Sequence, residues 1–166
     1  PDLERAALIA LADVEIGAGS AEAAHDLFAA ALELDEATGV KSRQAEDLLG
    51  KGAALSLMER SEEARIDLRR AARLLTESGE DSDVWKAYLN LADSFEEAAP
   101  DSAAYYYDAA LAALEGGSQA RGGEALNTGY LFADRGRAYE EIARYYASRH
   151  REDPLGGWEA KAFETP

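Results

Sequence analysis

The chain has 166 residues, 33 of them acidic and 17 basic, which sets its net charge at −16 at pH 7. A field of that sign repels nucleic-acid phosphates and anionic lipid, so the expectation is no nucleic-acid partner and no membrane surface. The sequence holds no cysteine, which removes disulfides, thiolate nucleophiles and cysteine-ligated zinc, and no run approaches the roughly 18 apolar residues of a membrane span.

The first 16 residues place Leu3, Ala7, Leu8, Leu11 and Ile16 at three- and four-residue intervals, which predicts a helix with one apolar stripe ending near Gly17 to Gly19. Ser20 is positioned to cap a second helix, whose buried stripe is Ala24, Leu27, Phe28, Ala31 and Leu32 and whose stop is Ala37-Thr38-Gly39. A second pair runs from Ser42 through Leu48, Leu49, Gly52, Leu55 and Met58, then from Ser61 as cap through Ala64, Leu68, Ala71, Leu74 and Leu75 to Gly79. A third starts after Ser82 with Val84, Trp85, Tyr88, Leu89, Ala92 and Phe95. It turns at Pro100-Asp101, continues through Ala103, Tyr106, Tyr107, Ala110, Leu111 and Leu114, and is expected to end at Gly116-Gly117.

Beyond Gly117 a glycine-rich stretch precedes a longer helical pattern from Ala125 to Arg151. It reads either as a pair broken near Asp134 to Gly136 or as one helix, with Tyr139, Ile142, Tyr145 and Tyr146 on the buried side. The last segment, with Trp158 and Phe163, is expected to tuck onto the end of the array or to start a further helix. The chain opens on Pro1 without a basic and apolar leader, which reads as a piece of something longer, and a cytoplasmic setting is expected. Only Lys41, Lys51, Lys86 and Lys161 are lysines; a salt-adapted source and an ordinary acidic bacterial protein both fit.

These elements keep one clock. Ala12, Gly52 and Ala92, then Ala24, Ala64 and Ala103, then Gly39, Gly79 and Gly117 recur at close to forty residues, the signature of a helical repeat array that buries its core between neighbours. The segments LADVEIGAGSAEAAHDLFAAAL, KGAALSLMERSEEARIDLRRAARL and LADSFEEAAPDSAAYYYDAALAAL resemble tetratricopeptide (TPR) repeats over residues 3–115. Ala12, Gly52 and Ala92 match that family's small residue in the first helix, and Ala24, Ala64 and Ala103 its alanine in the second. Leu55 and Phe95, with Phe28, Leu68 and Tyr107, match its bulky places. The chain departs from it at Glu15, in lacking a proline after the second helix, and in a period longer than the usual 34 or so.

The expected fold is therefore an all-α, TPR-like alpha-alpha superhelix of about four antiparallel hairpins, residues 3–39, 42–79, 82–117 and 120–151 within an array over 1–157, with 158–166 as cap or further helix. The resemblance implies that first helices line a concave groove. In this chain they offer Asp13, Ile16, Glu46, Leu49, Ala53, Ser56, Lys86, Leu89, Asn90, Asp93 and Glu97, an apolar lining of acidic bias suited to a basic or amphipathic peptide or helix. Lys86 and Asn90 alone do not make a clamp for a terminal carboxylate. Of the tyrosines Tyr105, Tyr106, Tyr107, Tyr139, Tyr145 and Tyr146, at least one of the consecutive three must face solvent.

Catalysis has no support. His25 and His150 lack metal-ligand spacing, Gly50-Lys51-Gly52 lacks the context of a phosphate loop, and Gly79 to Asp83 is an incomplete cation loop. No metal, cofactor or enzymatic activity is expected. The expected role is a protein interaction module. The alternatives are a ligand- or peptide-sensing regulatory domain of a larger protein and a homo-oligomeric assembly module.

Overall fold

The computed structural model describes residues 2–79, 83–120 and 129–157. Among them the chain forms helices throughout: α1 (Asp2–Ala18), α2 (Ala21–Thr38), α3 (Lys41–Leu57), α4 (Ser61–Ser78), α5 (Val84–Phe95), α6 (Pro100–Ala120) and α7 (Gly129–Glu152). They group into two compact units, residues 1–113 and 114–166. The first is a stack of antiparallel hairpins, α1 with α2, α3 with α4, and α5 with the N-terminal part of α6, so the all-α solenoid architecture holds.

The turns follow from backbone chemistry. Gly39 and Gly79 end α2 and α4 in the left-handed region, at φ of 73° and 78°, where a Cβ would be strained. Glu59 occupies the same region at φ 59° in the α3 to α4 turn, forty residues after Gly19 at 79°. The hydroxyl caps expected at Ser20 and Ser61 do not form: Ser20 makes no side-chain cap bond, and Ser61 lies inside α4 behind Arg60. α3 starts one residue before Ser42, and α6 starts on Pro100 itself. Its end also differs from expectation, because α6 continues through Gly116 and Gly117 to Ala120; two glycines weaken a helix by about 1 kcal/mol each without stopping it.

Small residues set the spacing of the stack. Ala12, Gly52, Ala92, Ala24, Ala64 and Ala103 are all buried. A Cβ on Gly52 would come within 2.8 Å of Leu68, and one on Gly50 within 2.3 Å of the Phe28 ring. One core cluster joins Ala12, Ala24, Phe28 and Ala54 across α1, α2 and α3. A second joins Leu32, Leu48, Leu75, Val84 and Ala87, and a third Leu55, Ala64, Leu68 and Leu91.

The buried line of α1 is only in part the one expected. Ile16 packs inward as expected, but Leu3 is 89% exposed and Leu11 53%, Ala7 is also exposed, and the helix turns Ile9 and Ala12 inward in their place. Both sets have helical spacing, and contact with α2 and α3 selects between them.

In the second unit α7 is one continuous helix, with no break at Asp134 to Gly136. Ala138, Ile142, Tyr145 and Tyr146 are buried, Tyr139 half-buried, and the Arg135 guanidinium donates to the Leu114 carbonyl at 2.6 Å. Trp158 and Phe163 lie outside the described residues, as do residues 121–128. No helix among the described residues is long and apolar enough to cross a membrane.

Candidate functional site

The C-terminal half of α3, the first turns of α4 and the C-terminal half of α5 border a cleft of about 720 Å³. Ala53 and Leu57 supply its apolar side, with Leu57 61% exposed, while Glu62, Asp93, Glu96 and Glu97 line it with carboxylates against the single cation Arg65. Of the expected groove residues, Ala53 and Ser56 on α3 and Asn90, Asp93 and Glu97 on or just after α5 border this cleft, Ala53 and Asp93 being forty-residue equivalents. Glu62, Arg65, Ser94 and Glu96 were not among the expected lining residues: Glu62 and Arg65 belong to a second helix that the tight α3 to α4 turn brings to the cleft, and Ser94 and Glu96 lie at the C-terminal end of α5.

The other groove candidates lie elsewhere. Leu89 is buried in α5, and Leu49 is half-buried against two core clusters. Ile16 packs on the Ala12 and Phe28 cluster, and Asp13 is exposed on α1. Glu46 accepts from Arg5 at 2.8 Å, and the Lys86 ammonium sits 3.7 Å from Asp83.

Arg65 is the buried cation of the site. Its guanidinium lies 3.9 Å over the centre of the Phe95 ring, donates to the Ser94 carbonyl and to Glu62, and reaches the Ser94 hydroxyl at 3.2 Å. This ties α4 to the end of α5 and engages internally the one cation among the described residues that line the cleft.

Behind the opposite wall, the buried Tyr107 phenol lies 2.6 Å from Asp93 and 2.5 Å from Glu96. A phenol has one hydrogen, so it donates to one carboxylate at a time and leaves the other in need of a donor. Burial, then the two carboxylates, push its acidity well below that of ordinary tyrosine, so it stays a donor. Tyr106 stacks on Phe95 at 5.6 Å, and Tyr105 meets solvent at 68% exposure.

A second polar cluster fixes α1 and α2 to α3. Arg5 pairs with Asp35, with Asp47 at 3.1 Å and with Glu46, while Asp35 and Asp47 are 2% and 0% exposed. Gln44 donates to the Asp35 carbonyl at 3.0 Å. Asp47 Oδ2 is buried without a hydrogen-bond partner, and the Asp35 carboxyl interacts with the Asp47 side chain. Burial pushes Asp47 up to about 7, against the pull of Arg5 and with the push of Asp35 and Glu46. The protonated form of Asp47 is thereby favoured well beyond the ordinary carboxylate range.

Among the described residues no group of three or more His, Cys, Asp or Glu side chains is arranged to hold a metal ion. His25 contacts only Asp26 in the pairings seen, at 3.1 Å on the surface.

No protein-family model matches the chain, and no curated protein does. Solved structures share the fold. The TPR domain of Arabidopsis FLU aligns with 69% of this chain and 97% of its own, at a TM-score of 0.65 and 24% identity. BtubC (BKLC) from P. vanneervenii aligns with 99% of this chain at a TM-score of 0.72 and 16% identity, and this chain spans 64% of that one. The likeness is one of TPR-type fold.

Proposed function

We propose that the chain is a non-catalytic protein interaction module that holds a basic, amphipathic peptide or helix of a partner in the cleft between α3, α4 and α5. The observation that carries this reading is the composition of that cleft, with four carboxylates, an apolar side at Ala53 and Leu57, and a lone arginine already consumed by Glu62, Ser94 and Phe95. Apolar anchors give such a partner its affinity, while the carboxylates set its orientation and association rate. The Tyr107 phenol supports the polarity of the site, since it holds Asp93 and Glu96 together while supplying one hydrogen for both.

In this reading the units 3–39, 42–79, 82–117 and 120–151 form one array, and the partner is a cytoplasmic protein in place of nucleic acid or membrane. A peptide library displayed on phage and selected against the chain tests it. Selected sequences should pair Lys or Arg with Leu, Ile or Phe. Asp93→Lys with Glu97→Lys should weaken synthetic versions at least tenfold, and binding should fall with added salt. Selection of acidic sequences, or binding indifferent to the double substitution, refutes the reading.

A further inference from the structure

The second helices α4 and α6 present a face of their own, which runs across the stack and away from both of its ends. The register that makes Ala64 and Ala103 equivalent also matches Glu62 with Asp101, Ile66 with Tyr105, Arg69 with Asp108 and Arg73 with Ala112. All of these residues are exposed, so the two helices turn the same stripe outward. At its centre Ile66 is 65% exposed and Tyr105 68%, bulky apolar residues at one position of successive repeats. One such residue is ordinary on a surface; two in register make a patch.

Arg69 is the second observation. Among the described residues every other lysine and arginine of residues 2–113 makes an ion pair, and Arg69 makes none. Its guanidinium reaches the Tyr106 hydroxyl at 3.4 Å and lies 5.7 Å from the centre of the Phe95 ring. In a chain of 33 acids and 17 bases, this exposed arginine is held by aromatic groups with its charge open to a carboxylate.

We infer that this face docks a second copy of the chain, in a symmetric dimer whose two-fold axis runs along the helices between α4 and α6. Such an axis sets each position of α4 against its register equivalent on α6 of the other copy. Ile66 then meets Tyr105 and Arg69 meets Asp108, each contact being made twice. Tyrosine and arginine are the residue types that contribute most at interfaces. The stripe is self-complementary because α4 carries its arginines where α6 carries aspartate or alanine. At the edge Glu62 meets Asp101, but Arg65 already neutralises Glu62. An axis across the helices fits the charges less well, since it sets Asp101 against Asp108 and offers Arg69 only that neutralised Glu62. The net charge of −16 opposes the approach of two copies, so the dimer is weak.

Sedimentation equilibrium of the whole chain, loaded from about 10 µM to about 1 mM, tests the inference, with a dissociation constant on the order of 100 µM expected for a small interface. Arg69→Asp alone and Asp108→Arg alone should each weaken the dimer about tenfold or more. The chain with both substitutions has the native net charge and the same pair with its signs exchanged, so it should return to within about threefold of the native affinity. The positions are exposed, and circular dichroism should stay unchanged in all three variants. A chain that is monomeric throughout overturns the inference and leaves the face to a protein of other sequence. A dimer indifferent to Arg69→Asp, strengthened by Asp108→Arg, or not regained in the double variant also overturns it, by placing the contact elsewhere or on the other axis.

Discussion

Replacing Asp47 by asparagine should make the fold more stable at alkaline pH. Asp47 is fully buried beside Asp35, with Arg5 as the cation shared between them, and its carboxyl is pushed up to about 7. The folded chain thus keeps a proton that the unfolded chain releases near its ordinary value of 3.8. Between those two values the folded state binds more protons than the unfolded one, so this group's contribution is full below about pH 4, declines as pH rises, and is gone above about pH 7. At about 1.4 kcal/mol per unit, the loss between pH 5 and pH 8 is about 2–3 kcal/mol. Asparagine cannot ionise, and its amide N–H serves as a donor in place of the carboxyl O–H.

Urea denaturation of both chains at pH 5 and pH 8 reads the effect. Groups away from this cluster titrate alike in the two, so the difference between them reads Asp47 and the neighbours coupled to it. Asp47→Asn should match the native chain within about 1 kcal/mol at pH 5 and exceed it by about 2–3 kcal/mol at pH 8. A stability difference that is the same at both values would refute the raised Asp47 carboxyl.

Two further predictions concern packing and backbone. Gly50→Ala drives a methyl into the Phe28 ring, so despite alanine's better helix propensity it should destabilise by about 1–2 kcal/mol, and adding Phe28→Leu should recover part of that in thermal melts. Glu59→Gly removes a Cβ from a left-handed residue at φ 59° and should raise stability by about 0.5–1 kcal/mol; a lower melting temperature would show that Glu59 carries an interaction worth more than its strain.

The architecture was legible in the chain itself because close helix approach demands small residues at fixed places, and such places recur whenever a hairpin is repeated. Ala12, Gly52 and Ala92 announce the stack, and Gly39 and Gly79 announce its turns, since each requirement is local and is met by one residue type. Helix limits were less legible. Pro100 opens α6, where proline is favoured, while the glycines at 116 and 117 weaken a helix by about 1 kcal/mol each without stopping it. In α1 two apolar stripes of helical spacing coexist and both can end on Ile16, and periodicity contains nothing that ranks Ile9 and Ala12 above Leu3, Ala7 and Leu11.

The candidate sites divide the same way. Ala53, Ser56, Asn90, Asp93 and Glu97 could be named from the repeat register, because equivalent positions of successive first helices face the same way. Arg65 and Glu62 could not, nor could the cluster of Arg5, Asp35 and Asp47, whose members are 30 and 42 residues apart. A charged residue in a helix reads as solvated until something covers it. Sequence alone therefore determined that this protein is a stack of helical hairpins with an acidic surface. Which charges are buried, which apolar face stays open and where the cleft lies were decided only by tertiary structure, because burial and ion pairing depend on groups that the fold brings together from distant repeats.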